Sequence, residues 1–197
     1  AKWPQAHLSR EQKVSLLTLA RRTMERYVRD GAKLVPSEEG IAVETDYDLQ
    51  GAAGGFVTLE KRGILRGCIG EIPARRPIWQ VVLDHAIDAA ANDRRFRPVH
   101  ADELAEIDIE ISILTPTRPA RYEEIRIGRD GIVLEKDGRR AVFLPQVATE
   151  QGWTLPTTLS QLARKAGLES DAWKDGATFE IFEAIVFGEH ELGLMPK

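Results

Sequence analysis

The single cysteine of the chain, Cys68, lies among residues whose types could support thiol chemistry. Arg66 precedes it by two positions, and on a β-strand this spacing would place the guanidinium and the thiol on one face, favouring the thiolate. Gly67 and Gly70 lack side chains, so main-chain amides there could approach a bound anion closely. The pattern predicts an activated nucleophile beside an anion-binding turn.

A packed thiol is the competing interpretation of the same residues. Unpaired cysteine is among the residue types most often buried, where it acts as a small apolar side chain. The glycines would then allow a helix to pack closely on the strand. A metal or redox role is a third alternative, but the four histidines lie at spacings unlike those of zinc ligands, so we expect no metal site.

A nucleophilic thiol requires a base, and two residues are candidates. His85 lies on the apolar stripe of a predicted helix, a position typical of a hydrogen-bonded core histidine. Glu110 lies on the polar face of a predicted strand, where it could be solvated, paired with Arg66 or Arg95, or act as a general base. We therefore take Cys68 and Glu110 as the candidate catalytic residues.

Basic residues crowd the same part of the chain, with six arginines between positions 66 and 97. With a lysine of the second half they could bind phosphate or carboxylate, or they could form a solvated surface with the acidic residues between them. The glycine spacing is not that of a dinucleotide-binding fingerprint. The candidate ligand-binding residues are Arg66, Gly67, Gly70, Arg95, Gln146 and Lys165.

A set of helices and strands would position these groups. Ser9 and Gln12 form a capping box that begins a helix from about Arg10 to Asp30, with an apolar stripe on one face and Arg21 on the other. Alternation and turn residues predict the rest of the first half. Its elements are a hairpin over 56–69, a helix over 78–93 and a strand over 107–113.

The second half repeats this plan. Residues 132–138 resemble residues 57–63, and each segment is followed by a strand, a helix and one more strand, the last being a long one over 179–186. A β-β-α-β unit used twice, plus the N-terminal helix, predicts an α+β fold with mostly antiparallel sheet. We expect one domain over 1–197 made of two intimately associated subdomains, with a boundary near 116–130 and a cleft where they meet.

The composition of the chain argues against several classes of protein. A net charge of -4 and a pI of about 5.7 argue against a DNA coat protein, which needs a positive excess. One cysteine excludes an intramolecular disulfide framework and indicates a reducing compartment. There is no apolar run of about 18 residues, and Ala1-Lys2-Trp3-Pro4 lacks the apolar core of a secretion signal, so we expect a cytoplasmic protein without a membrane span.

The hexapeptide Leu65-Arg66-Gly67-Cys68-Ile69-Gly70 resembles the hallmark of the AMMECR domain family, known in prokaryotes as AmmeMemoRadiSam system protein A. Other segments are similar to that family as well, and the resemblance runs from about Val14 to Gly188. These segments are 92–98, 110–116, 143–147, 151–153 and 164–168, together with Trp173.

The resemblance implies an α/β fold of two subdomains and an association with Memo-type and radical-SAM partner proteins. It leaves the cofactor unknown and assigns no catalytic residue. The family has also been likened to nucleotide- and RNA-binding folds. The hypothesis is therefore an enzyme or enzyme component that handles a nucleotide-like or anionic substrate around Cys68, in RNA or cofactor modification. The alternative is a non-catalytic binding module or adaptor for a peptide, RNA or a partner protein.

Overall fold

The computed structural model describes residues 8–196. The first four residues, on which the expectation about a secretion signal rests, lie outside this range. The described residues divide into two compact units, 8–114 with 185–196, and 115–184. Each unit holds a four-stranded sheet. The helices are α1 (Arg10–Asp30), α2 (Ile78–Ala91), α3 (Pro145–Gln151), α4 (Leu155–Lys165) and α5 (Glu189–Leu192). The strands are β1 (Gly55–Lys61), β2 (Ile64–Glu71), β3 (Ile107–Leu114), β4 (Arg118–Ala120), β5 (Gly131–Lys136), β6 (Arg139–Phe143), β7 (Thr178–Phe182) and β8 (Ala184–Gly188).

The first sheet has the strand order β2-β1-β3-β8, and β1 pairs antiparallel with both β2 and β3. Helices α1 and α2 supply apolar side chains to the core on one side of it. The four isoleucines that alternate along β3 are each 0% exposed, so the period-two pattern of that segment does mark a buried face. The opposite face of the sheet, which we call the outer face, carries the polar residues of the same strands.

The second sheet repeats the first. In its order β6-β5-β7-β4, strands β5 and β6 form a hairpin, β7 pairs with β5, and β4 lies beyond β7. The first sheet, in the order β2-β1-β3-β8, has the same arrangement. Both hairpins turn through two left-handed residues, with φ of 54° and 75° at Arg62 and Gly63 and 52° and 73° at Asp137 and Gly138. Such paired positive φ values define the type I′ turn, which suits twisted strands. The α+β class and the duplicated β-β-α-β unit are confirmed.

The N-terminal helix begins and ends where the sequence predicts. Ser9 Oγ accepts the N–H of Gln12 at 3.1 Å, and Gln12 Oε1 accepts the N–H of Ser9 at 3.0 Å, which completes the capping box. Gly31 ends α1 with a φ of 67°. The prediction for Arg21 is wrong, because its side chain is only 10% exposed and donates to both carboxylate oxygens of Glu189 at 2.8 and 2.6 Å.

Two predictions for the second half are also corrected. The expected long final strand is two strands, and Glu183 separates β7 of the second sheet from β8 of the first. The irregular alternation of residues 179–186 was the sign of this break. Two helices, α3 and α4, follow the second hairpin where the sequence predicts one. No helix among residues 8–196 has both the length and the apolar character needed to cross a membrane.

Candidate functional site

The hexapeptide with Cys68 occupies β2, the strand at one edge of the first sheet. Gly67 faces α2, and a Cβ at this position would lie 2.1 Å from the carbonyl oxygen of Ala89. Gly70 faces the other way, and a Cβ there would lie 2.2 Å from the carbonyl oxygen of Gly55 and 2.4 Å from the ring of Phe56. Close packing by the helix and by the ring therefore accounts for both glycines. A ligand contact at either residue stays a prediction.

Cys68 and Glu110 lie in one row across the outer face. Thr58 of β1 is opposite Cys68 in β2 and opposite Glu110 in β3, so its side chain stands between theirs. The Thr58 hydroxyl and the Cys68 sulfur are 3.2 Å apart, within hydrogen-bond range for sulfur. Cys68 is partly buried, whereas Glu110 is exposed. The structure thus brings the two candidate catalytic residues to the same face, with a hydroxyl between them.

Asp93 and Arg95 complete the open edge of β2 at Cys68. The buried Asp93 carboxylate, 5% exposed, accepts the backbone N–H of Cys68 at 2.9 Å. Arg95 Nη2 donates to the carbonyl oxygen of Cys68 at 3.1 Å. Its guanidinium also binds both oxygens of Asp93, from Nε at 3.0 Å and Nη2 at 2.8 Å. Because β2 is an edge strand, these two side chains bind the backbone N–H and C=O of Cys68 that a further strand would otherwise bind.

The electrostatic environment keeps the thiol of Cys68 protonated more strongly than the sequence suggests. Burial raises the pKa of Cys68, and the nearby carboxylates of Asp93 and Glu110 raise it further. The hydrogen bond with Thr58 and the charge of Arg95 lower the pKa, but not enough to offset burial. The charge of Arg95 does favour the thiolate, but burial outweighs it, so the net shift of the pKa of Cys68 is upward, opposite to the sequence prediction. The guanidinium that acts on the sulfur is that of Arg95, not that of Arg66.

Arg66 binds partners within the protein. Its Nε and Nη2 donate to the two carboxylate oxygens of Glu103 at 3.0 and 2.9 Å, and its Nη1 donates to the carbonyl oxygen of Arg97 at 2.9 Å. This ion pair with Arg66 lowers the pKa of Glu103 to about 2. Arg66 thus ties β2 to the loop and turn that follow α2. Its role in holding a ligand stays a prediction.

Gln146 and Lys165 belong to the second unit. Gln146 is exposed near the start of α3. Lys165 Nζ donates to the carbonyl oxygen of Val142 in the edge strand β6 at 2.7 Å and lies 5.0 Å from the centroid of the Phe143 ring. The ammonium therefore caps a backbone group at a sheet edge. Ligand contacts by these two residues stay predictions.

Comparisons with known proteins identify the family. The AMMECR1 family model matches residues 17–187 of this chain. The chain belongs to the AMMECR1 family. It is 38% identical to a protein of Methanothermobacter thermautotrophicus, covering 93% of this chain and 97% of that one, and 40% identical to a protein of Thermococcus onnurineus, covering 85% and 88%. The crystal structure of the uncharacterised protein PH0010 from Pyrococcus horikoshii superposes with a TM-score of 0.78 at 33% identity, covering 90% of this chain and 91% of that one.

His85 of this AMMECR1-family chain is a structural residue, as its place on the apolar stripe suggests. It is 8% exposed, and its ring nitrogens lie 2.8 Å from Glu71 Oε2 and 3.1 Å from Asp88 Oδ2. Glu71 is held in turn by Arg76, the main reason that its pKa is lowered. The histidine therefore joins the end of β2 to α2 instead of facing the thiol.

Sequence reasoning missed two residues of the candidate site, Thr58 and Asp93. Thr58 lies opposite Cys68 only because a β-bulge shifts the hairpin register between Leu59 and Glu60. Counting outward from the Arg62-Gly63 turn would place Thr58 opposite Gly67 instead. Asp93 and Arg95 stand two residues apart after the end of α2, in a segment that resembles the family. That spacing indicates a local ion pair, but the contact with the backbone of Cys68 depends on the tertiary fold.

Proposed function

We propose that this AMMECR1-family protein is a thiol-dependent enzyme, or enzyme component, that acts on a small anionic ligand at the outer face of its first sheet. The observation that supports it is the row of Cys68, Thr58 and Glu110, with the guanidinium of Arg95 beside the cysteine. A nucleophile, a hydroxyl, a carboxylate and a cation are the groups that covalent catalysis on an anion requires.

Thr58 is the proposed link between the thiol and its base. Its hydroxyl can accept the proton of Cys68 while its own proton passes to the carboxylate of Glu110, since it stands opposite both residues. The sulfur then adds to an electrophilic carbonyl carbon of the ligand, and the electrons of the carbonyl π bond move to its oxygen. The Thr58 proton ends on Glu110, and the thiol proton replaces it on Thr58. Because the resting thiol has a raised pKa, this transfer occurs when the bound ligand excludes water and aligns the row.

Arg95 is the proposed anchor for the charge of the ligand. Its side chain is 58% exposed, and its Nη1 makes none of the bonds to Asp93 or to the backbone of Cys68. A phosphate or carboxylate bound there would lie beside the thiol. A nucleotide-like ligand fits this chemistry. The likeness of the family to nucleotide- and RNA-binding folds supports a role in RNA or cofactor modification, in a pathway shared with Memo-type and radical-SAM proteins.

A non-catalytic binding module is the second candidate. Two observations favour it, namely the raised pKa of Cys68 and the internal contacts that occupy the Arg66 guanidinium. In that case Arg95 would bind the anionic group of a ligand or partner and the thiol would only contact it. The row of Cys68, Thr58 and Glu110 would then form part of the binding surface and would transfer no proton.

Thermal unfolding with added ligand tests the proposal. Inorganic phosphate and adenosine monophosphate should each raise the melting temperature by mass action, and Arg95→Gln should remove the rise. The matched control Arg94→Gln changes an exposed neighbour and should preserve it. No rise at millimolar ligand, or an equal rise in Arg95→Gln, would overturn the anion site. Iodoacetate, an anion with an electrophilic carbon, tests the thiol separately. A rise that needs Arg95, together with no alkylation of Cys68 by iodoacetate in mass spectra of the folded protein, would favour the binding module.

A further inference from the structure

The second unit contains a cavity of about 400 Å³ that lies entirely within residues 119–179. It opens where β4 and β7 separate, between the turn that follows β4 and the segment that precedes β7. We call it the aromatic pocket, and it is defined by Arg121, Tyr122, Trp173, Lys174 and Phe179. Its volume falls in the range of small-molecule sites, which is roughly 300–1,000 Å³.

Three aromatic rings form a fixed wall of the aromatic pocket. Tyr122 meets Trp173 edge-on at 5.2 Å between centroids and 78° between planes, and it meets Phe179 at 6.3 Å and 67°. The indole N–H of Trp173 donates to Ser160 Oγ at 3.1 Å, which sets the orientation of that ring. Trp173 and Phe179 are 8% and 6% exposed, whereas Tyr122 is partly exposed. The wall is therefore preformed and offers ring surface to a ligand.

Two exposed cations stand at the mouth of the aromatic pocket. Arg121 comes from the turn that follows β4 and Lys174 from the segment that precedes β7, and Lys174 Nζ lies 5.7 Å from the centroid of the Trp173 ring. Among residues 8–196, neither cation is joined to a carboxylate by an ion pair within 4.0 Å. Glu123 is the one acidic residue of the lining. The mouth thus carries a surplus of positive charge above an apolar wall.

The edge of β4 does not suit an added peptide strand. Pro119, the middle residue of this three-residue strand, has no N–H to donate, and proline is a common means of blocking a sheet edge. A small molecule fits the cavity better than an extended chain does. We propose that the aromatic pocket binds a small aromatic carboxylate or phosphate, with its ring against Tyr122 and its anionic group between Arg121 and Lys174. This site is independent of the one at Cys68.

Solution NMR of the full chain tests the aromatic pocket. The probes are phenylacetate and phenyl phosphate, with benzyl alcohol as the uncharged match. The signal is the indole N–H of Trp173, assigned by its loss in Trp173→Phe. We expect both anions to shift this resonance saturably, and benzyl alcohol to bind at least about tenfold more weakly, since a charge-assisted hydrogen bond is lost. Tighter binding of phenylacetate or of phenyl phosphate would show whether the pocket prefers a carboxylate or a phosphate.

Variants separate the roles of charge and fold. The double variant Arg121→Gln with Lys174→Gln should weaken phenylacetate binding at least about tenfold. Arg164→Gln, an exposed cation of the same unit outside the pocket, should leave it unchanged, and dispersed spectra would show that each variant is folded. The proposal is overturned if the anions give no saturable shift of Trp173, if benzyl alcohol binds as well as they do, or if the double variant binds normally.

Discussion

The carboxylate of Asp93 holds the backbone N–H of Cys68 at 2.9 Å, across a sequence separation of 25 residues. Through Arg95 the same carboxylate is linked to the carbonyl oxygen of that cysteine. The cysteine at the sheet edge is thus held on both backbone groups, and its side chain is fixed opposite Thr58. This arrangement positions the thiol whether it acts as a nucleophile or as a contact.

Replacing Asp93 should loosen this edge of the sheet. In Asp93→Asn a charge-assisted acceptor is lost and Arg95 is left without its anion, so we expect the free energy of unfolding to fall by about 2–3 kcal/mol. Urea denaturation measures the loss. Asp102→Asn changes an aspartate whose side chain is 84% exposed and should cost less than about 0.5 kcal/mol. Equal losses in the two variants would contradict the clamp, by which we mean the hold of Asp93 and Arg95 on the backbone of Cys68.

Gly67 should tolerate no side chain. An added Cβ would meet the carbonyl oxygen of Ala89 at 2.1 Å, so Gly67→Ala must push α2 away from β2 and should cost about 3 kcal/mol or more. The matched substitution Gly188→Ala, in β8 of the same sheet, places its Cβ at an ordinary 3.5 Å from the nearest atom. If thermal unfolding found both variants equally stable, close packing of α2 would not explain the glycine.

Stability in acid should depend on Glu103. Its pKa falls from 4.5 to about 2 in the folded protein, chiefly through Arg66, so the carboxylate stabilises the fold above pH 4.5 and loses this contribution as the pH falls toward 2. In wild type we expect the free energy of unfolding, measured with urea, to fall by about 1–2 kcal/mol over this pH window through Glu103, and Glu103→Gln should remove that fall. Arg66→Gln should flatten the curve likewise. Parallel curves for wild type and Glu103→Gln would disprove the coupling.

Removal of the thiol should affect stability only modestly. Cys68 is partly buried and lies on the outer face, so Cys68→Ala should cost less than about 1.5 kcal/mol. Val57→Ala in β1, a change at a position 1% exposed, provides the contrast and should cost about 2 kcal/mol or more. A loss from Cys68→Ala as large as that from Val57→Ala would favour the packed-thiol interpretation.

Local rules were sufficient for much of the fold. The Ser9 capping box, the alternating isoleucines of β3 and the two turn dipeptides are signals that neighbouring residues carry, and each formed as predicted. The matching hairpins also indicated the duplicated sheet. These features are decided within a few residues, where hydrogen bonding and steric limits leave few choices.

Features that depend on distant partners were missed. Arg21 is buried because Glu189 lies 168 residues away, and helical periodicity cannot show this partner. The chain leaves one sheet for the other at Glu183, although the composition on either side is similar. At the candidate site strand alternation placed Glu110 on the polar face of β3, but its position in one row with Cys68 depends on the strand register. The clamp by Asp93 and the raised pKa of the thiol depend on how α2 closes over β2.

Alkylation of the folded protein tests the central claim most directly. The rates for Cys68 with anionic iodoacetate and neutral iodoacetamide should be compared with those of free cysteine, as a function of pH. We predict reaction without unfolding, a pKa above the ordinary 9.0, and a relative preference for iodoacetate that Arg95→Gln abolishes. A thiol that reacts only after unfolding, or one with no preference for iodoacetate, would contradict an anion site beside a reachable nucleophile.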